Sequence, residues 1–143
     1  MKINIKKLSP EAKAPIYATD GSGCFDIFSI SKGVILPNSN YVFPTGLSFE
    51  IPKGYVMLLF SRSGQGFAHD IRLGNCVGVI DSDYRGEVKV KLTSDSSFKA
   101  LKVNSGDRIC QGIVLPYEQV EFNEVEELNQ TARGEGGFGS TNI

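Results

Sequence analysis

The chain has 143 residues, 41% of them hydrophobic and 22% charged, with a formal net charge of -1. That length suits one domain whose core holds without disulfides or metal. The near-zero charge argues against a nucleic-acid coat or a membrane-surface protein, since both carry a clustered basic excess, and no stretch has the length and apolarity to cross a bilayer as a helix. The opening "MKINIKKLSP" has no apolar signal core, so a soluble protein of the cytoplasm or another intracellular compartment is expected. Cys24, Cys76 and Cys110 form no C-x-x-C pair, which disfavours a disulfide framework or a zinc knuckle. Each sits beside apolar residues and reads as a small buried hydrophobe.

Short apolar segments follow one another along the chain: "GVIL" at 33–36, "NYVF" at 40–43, "LSFEI" at 47–51, "YVMLLF" at 55–60, "VGVI" at 77–80, "EVKVKL" at 87–92 and "RICQGIVL" at 108–115. Turn clusters such as "PNSN", "IPKG", "DSDYRG" and "NSGD" separate them, and this spacing predicts an all-β sandwich or barrel. In "EVKVKL", Val88, Val90 and Leu92 alternate with Lys89 and Lys91, giving one buried and one wet face. The one helical signal is a turn or two around "SGQGFAHD" at 63–70. Composition shifts near Thr131, and four of the six residues from Gly134 to Gly139 are glycine. The expected organisation is therefore a β domain over 1–131 and a flexible arm over 132–143, since glycine buries too little to offset its ordering entropy.

Three polar segments concentrate groups with chemistry. In "FSRSGQG" at 60–66, Arg62, Ser63 and Gly64 combine a guanidinium, a hydroxyl and freely turning backbone N–H groups, a composition that suits an anion and also an ordinary turn. In "NCVGVIDSDYRGE" at 75–87, the turn carries two carboxylates, Asp81 and Asp83, one of which can polarise a water as general base or both of which can cap a hairpin turn, and the flat ring of Tyr84 can wall a sugar. In the tail, Arg133 can pair with phosphate, Phe138 can stack on a base, and Ser140 and Thr141 add hydroxyl donors. Gly134, Gly136 and Gly139 match the G-x-G-x-x-G spacing of a dinucleotide loop, but only four residues follow them here, too few for the helix that such a loop opens.

In chain order these segments resemble the five motifs of the trimeric dUTPase family: "GCFDI" at 23–27, "SRSGQG" at 61–66, "GNCVGVIDSDYRGE" at 74–87, "DRICQGIV" at 107–114 and "ARGEGGFGST" at 132–141. The resemblance implies a distorted, jelly-roll-like β fold. It also implies a homotrimer with sites between subunits, each closed by a neighbour's C-terminal arm. The implied reaction is Mg2+-assisted hydrolysis of dUTP to dUMP and pyrophosphate by water attacking the α-phosphorus, which lowers dUTP and supplies dUMP for thymidylate synthesis. By the same resemblance Asp81 orients the attacking water, Tyr84 packs under the deoxyribose, and Asn75 with Gly78, Val79 and Ile80 reads uracil. Asp26 helps to hold Mg2+ through water, Arg62, Ser63, Gly64 and Gln111 position the phosphates, and Arg133, Gly139, Ser140, Thr141 and Phe138 close over the nucleotide. No membrane or direct nucleic-acid contact is expected.

The departures from the family pattern are Gly23-Cys24-Phe25, where Ala-Gly-aromatic is commoner, and Gly112, where an apolar residue is usual. Two other readings compete. A dCTP deaminase of the same fold places its catalytic Glu where Lys91 stands, and a Lys cannot shuttle protons as that carboxylate does. A nucleotide-sensing module would have no need of the water-activating Asp81.

Overall fold

The computed structural model describes residues 1–138, which form twelve β-strands and one short α-helix. In chain order the strands are β1 (Asn4–Lys7), β2 (Ile16–Tyr17), β3 (Phe25–Phe28), β4 (Gly33–Ile35), β5 (Asn40–Pro44), β6 (Leu47–Glu50) and β7 (Tyr55–Phe60). After α1 (Ser63–His69) come β8 (Ile71–Leu73), β9 (Gly78–Ile80), β10 (Lys89–Ser94), β11 (Leu101–Val103) and β12 (Arg108–Pro116). The pairings are antiparallel, in a five-stranded sheet β2-β3-β12-β7-β9, a three-stranded sheet β5-β10-β8, and the pairs β1-β6 and β4-β11. The short, evenly spaced strands are the all-β architecture expected from their spacing, in the jelly-roll-like form that the family resemblance implies.

The alternation of buried and exposed faces is clearest on β10. On β10, Val90 and Leu92 are buried while Lys89 and Lys91 are exposed, as the period-two pattern requires. Phe43, Ile27, Ile35, Leu47, Met57 and Leu92 are fully buried at the centre of one continuous core. Five strands escape the apolar pattern. β1, β2, β8 and β11 span only two to four residues, and the buried run Phe25–Phe28 of β3 is interrupted by a charge at Asp26.

The unusual Gly112 has a packing cause. It faces Phe25 across the β12–β3 ladder, and a Cβ there would lie 2.7 Å from the Phe25 ring. The aromatic residue thus occupies the volume that a side chain at 112 would need.

β12 ends at Pro116, and no described residue beyond it lies in a helix or strand. Residues 117–130 are exposed throughout, with Glu118, Glu121, Glu124, Glu126 and Glu127 spaced among their apolar side chains. Regular structure therefore stops before the change of composition at Thr131. Among the described residues no helix is long and apolar enough to cross a membrane.

Leu92 pairs with Tyr41 on one side and Leu73 on the other and has no solvent exposure. Leu92→Ala should lower unfolding free energy by about 2–5 kcal/mol, measured by chemical denaturation, because the sheet cannot close over the lost volume. A loss well under ~1 kcal/mol would contradict its place at the centre.

Candidate active site

Two groups of polar residues converge on the five-stranded sheet. The first forms where β3, β12 and β7 run side by side, with Asp26 opposite Gln111 and Gln111 opposite Phe60. Beyond Phe60 the chain leaves the sheet. There the Ser61 hydroxyl accepts the Leu73 N–H at 2.9 Å, and the Ser61 carbonyl accepts the Gln111 amide at 3.0 Å. These two bonds orient the next residue, Arg62.

Arg62 Nε donates to Asp26 Oδ1 at 2.9 Å, and Arg108 Nη1 donates to Oδ2 of the same carboxylate at 3.1 Å. The Asp26 side chain is only 9% exposed, and a buried carboxylate is tolerable only when paired and hydrogen-bonded. Gln65 and Arg62 both donate to the Arg108 carbonyl, at 3.1 and 3.4 Å, which ties α1 to the start of β12. Two guanidiniums on one carboxylate leave a local charge excess beside a depression of about 340 Å3 lined by Ser61, Arg62, Ser63, Gly66 and Phe67. Ser63 in its lining is exposed, as is the adjoining Gly64. The arrangement suits an anion with several oxygens.

The second group is the turn that follows β9. Gly78 faces Leu59, and a Cβ at 78 would lie 3.0 Å from the Leu59 side chain, so the strands meet this closely only with glycine there. Val79 is exposed, and Ile80 is half-buried. The Tyr84 N–H donates to the Asp81 carbonyl at 3.2 Å, and its hydroxyl donates to the Glu87 carbonyl at 3.0 Å. Val79, Ile80, Asp81, Tyr84, Glu87 and Val88 wall a cavity of about 330 Å3. Asn75 is exposed in the turn before β9.

These groups do not meet within one chain. β9 runs antiparallel to β7, with Gly78 at the level of Leu59 and Ile80 at the level of Met57. Asp81 therefore leaves toward the Tyr55 end of β7, and Arg62 leaves at the Phe60 end. At roughly 3.3 Å per residue the two lie on the order of 20 Å apart. The arm reaches neither group by a hydrogen bond among its described residues. Arg133 Nε donates to the nearby Gly136 carbonyl at 2.7 Å, and Phe138 is fully exposed. Gly139, Ser140 and Thr141 lie outside the described residues.

The donor set fits Mg2+ in one way only. Among the described residues there is no cluster of three or more His, Cys, Asp or Glu side chains to cage a metal, and both Asp26 oxygens already accept from arginine. Each oxygen keeps a lone pair for a water, so Asp26 suits a hydrated cation carried in by phosphate oxygens and not a directly bound one.

One thiol departs from the sequence-based expectation. Cys76 is exposed, not buried, because it turns the chain between β8 and β9 with φ of 63° and its side chain points away from the core. Cys24 is half-buried and Cys110 is buried. Sequence reasoning also passed over Arg108, Gln65 and Glu87. The available signal was the Arg at the head of "DRICQG", three residues before Gln111 on the same strand. Lys91, the position weighed for a deaminase, is an exposed residue of β10.

The sequence model of the dUTPase family matches residues 10–142. The chain belongs to the dUTPase family. It is 47% identical to the deoxyuridine 5'-triphosphate nucleotidohydrolase of Nautilia profundicola over 99% of each chain. Identity to that of Helicobacter pylori strain 26695 is 43%, over 100% of this chain and 98% of the relative. Its fold superimposes on a Staphylococcus bacteriophage 80alpha dUTPase with dUpNHpp at a TM-score of 0.91, with 27% identity and 99% coverage of both. As a dUTPase the chain is a dUTP diphosphatase, a hydrolase of nucleotide metabolism.

Burial, and secondarily the Asp26 charge, pushes the Cys110 thiol up to about 12. It therefore stays neutral and unreactive at pH 8. In native protein Ellman's reagent should label Cys76 at the rate of a free thiol and leave Cys110 untouched until unfolding. Rapid native labelling of Cys110, located by peptide mapping, would contradict the buried strand.

Proposed function

We propose that this dUTPase works at sites assembled between copies of the chain in a homotrimer. One copy supplies the anion-binding group around Arg62, and a second supplies the hairpin with Asp81 and Tyr84. The observation that carries this reading is the β7–β9 register, which sets the two groups at opposite ends of one strand. A single copy has both halves but cannot join them. Closed symmetric assembly repeats each pairing without leaving an unmatched half.

The substrate enters base-first against β9. That strand is the edge of its sheet, bonded to β7 on one side, so its outer N–H and C=O groups alternate along a free edge. Uracil presents two carbonyl acceptors flanking an N–H donor, a complement to such an edge, whereas the exocyclic amine of cytosine sets a donor against a donor. Asn75 adds a side-chain amide at the start of the same hairpin. The Tyr84 ring packs on the carbon face of the deoxyribose and leaves no space for a 2'-hydroxyl.

The phosphates lie in the first group. Arg62, with the Ser63 hydroxyl, the Gly64 backbone and Gln111, supplies donors to the non-bridging oxygens. The Asp81 carboxylate accepts a hydrogen bond from a water and takes its proton as the oxygen attacks the α-phosphorus. The bond from that phosphorus to the oxygen bridging to the β-phosphorus breaks, and pyrophosphate leaves with the electron pair. Mg2+, when bound, neutralises charge on the phosphate oxygens, with Asp26 holding its water shell. The arm supplies Arg133 and, beyond it, Gly139, Ser140 and Thr141 to the terminal phosphate, with Phe138 over the base, and excludes water. The reaction lowers dUTP and yields dUMP.

With dUTP and Mg2+ the purified protein should release pyrophosphate and dUMP. Asp81→Asn should lower kcat by about 10²–10⁴-fold, the usual worth of a general base, while KM for dUTP stays within a few-fold. A variant that turns over at near-normal rate would remove Asp81 as the base.

A further inference from the structure

The turn 81–86 carries the two groups that the proposed reaction needs most, yet little holds it. Asp81, Asp83, Tyr84, Arg85 and Gly86 are all exposed. Apart from the Tyr84 bonds already given, its hydrogen bonds are local, from Arg85 Nη1 to the Ser82 and Tyr84 carbonyls at 2.7 and 3.1 Å. The position of the Tyr84 ring is set by the next residues. The ring lies directly over Gly86, where a Cβ would come within 2.6 Å of Cζ, and its hydroxyl donates to the Glu87 carbonyl at 3.0 Å.

Residue 87 is fixed in turn from the body of the domain. Glu87 Oε1 accepts the backbone N–H of Gly46 at 2.9 Å, and Oε2 faces Lys89 Nζ at 3.7 Å. Gly46 sits at a φ of 65° in the turn between β5 and β6, with Ala12 and Ile30 packed on it. The adjoining Val88 is stitched to the same turn, its N–H on the Leu47 carbonyl at 2.8 Å and its carbonyl accepting from Thr45 Oγ1 at 2.7 Å. A chain of contacts thus runs from the Gly46 turn through the Glu87 side chain and carbonyl to the Tyr84 phenol.

We infer that Glu87 is a positioning residue for Tyr84: its carboxylate anchors residue 87 to the Gly46 turn, so that its carbonyl holds the ring against the sugar and sets deoxyribose-over-ribose preference. This rests on the reading of Tyr84 as the sugar-facing ring. Small displacements of such a group are costly, because the ring discriminates by leaving too little room for one oxygen. The carboxylate acts here as an acceptor of a neutral N–H, so a side-chain amide oxygen can replace it.

The test compares kcat/KM for dUTP and UTP in the full-length enzyme and its Glu87→Ala, Glu87→Gln, Tyr84→Phe and Tyr84→Ala variants. The ratio of the two substrates is independent of how much protein folds. Glu87→Ala should lower the dUTP/UTP preference by about five- to tenfold, the order expected for one lost hydrogen bond, mainly through a lower KM for UTP. Glu87→Gln should restore the preference to within about twofold of the parent, because the acceptor of the Gly46 N–H returns. Tyr84→Phe, an exposed change that leaves folding intact, should lower it by a similar factor because it cuts the same chain of contacts at the hydroxyl. Should Tyr84→Ala lose the preference while Glu87→Ala and Tyr84→Phe both keep it, the positioning role is wrong and the sugar-facing role of Tyr84 stands. If Tyr84→Ala keeps it as well, both readings fall.

Discussion

The antiparallel register of β9 on β7 governs what this molecule can do alone. With Gly78 beside Leu59 and Ile80 beside Met57, the chain carries Asp81 away from Arg62. That register is not easily shifted. Sliding β9 by one residue would turn the exposed Val79 inward and bring a side chain against Leu59 where only Gly78 fits. The edge strand proposed to meet the base is therefore also the strut that separates Asp81 from the Arg62 group. In the proposed homotrimer, assembly of copies brings them together.

The anion-binding group depends on a balance at Asp26. Arg62 is partly withdrawn from water while Arg108 stays about half exposed, and one nearly buried carboxylate pairs with both. Arg62 and Arg108 are thereby held apart at fixed positions before any ligand arrives, and the group keeps a surplus of positive charge. Such preorganisation would reduce the entropy lost on binding the phosphates proposed to lie there.

Much of the fold was legible in the alternation of short apolar segments. Each of the seven segments read from the sequence contains a strand, and the helical turn lies at Ser63–His69. β3 was hidden because its buried run contains Asp26, whose burial makes sense only once two distant arginines are beside it. β1, β8 and β11 gain their hydrogen bonds from partners remote in sequence, β2 pairs only with the neighbouring β3, and all four are too short to declare themselves. The five motifs named the family from the sequence, and the family model agrees. What they did not reveal was the supporting network. Arg108 reads as an ordinary strand-opening charge, and Glu87 as the last letter of a turn, until the carboxylate of Asp26 and the N–H of Gly46 are seen opposite them. Cys76 erred in the other direction, since apolar neighbours in sequence do not predict a residue that turns the chain with positive φ.

The central claim is that Arg62 and Asp81 act on one substrate from different copies of the chain, and subunit complementation tests it most directly. Arg62→Ala and Asp81→Asn proteins, each nearly inactive alone, are unfolded together in equal amounts and refolded, and dUTP hydrolysis is measured. Random assembly pairs an intact Arg62 with an intact Asp81 from the neighbouring copy at about one site in four. The account predicts recovery of about a quarter of the parent activity. Activity no greater than that of either variant alone would mean that both residues serve a site within one chain, and would contradict it.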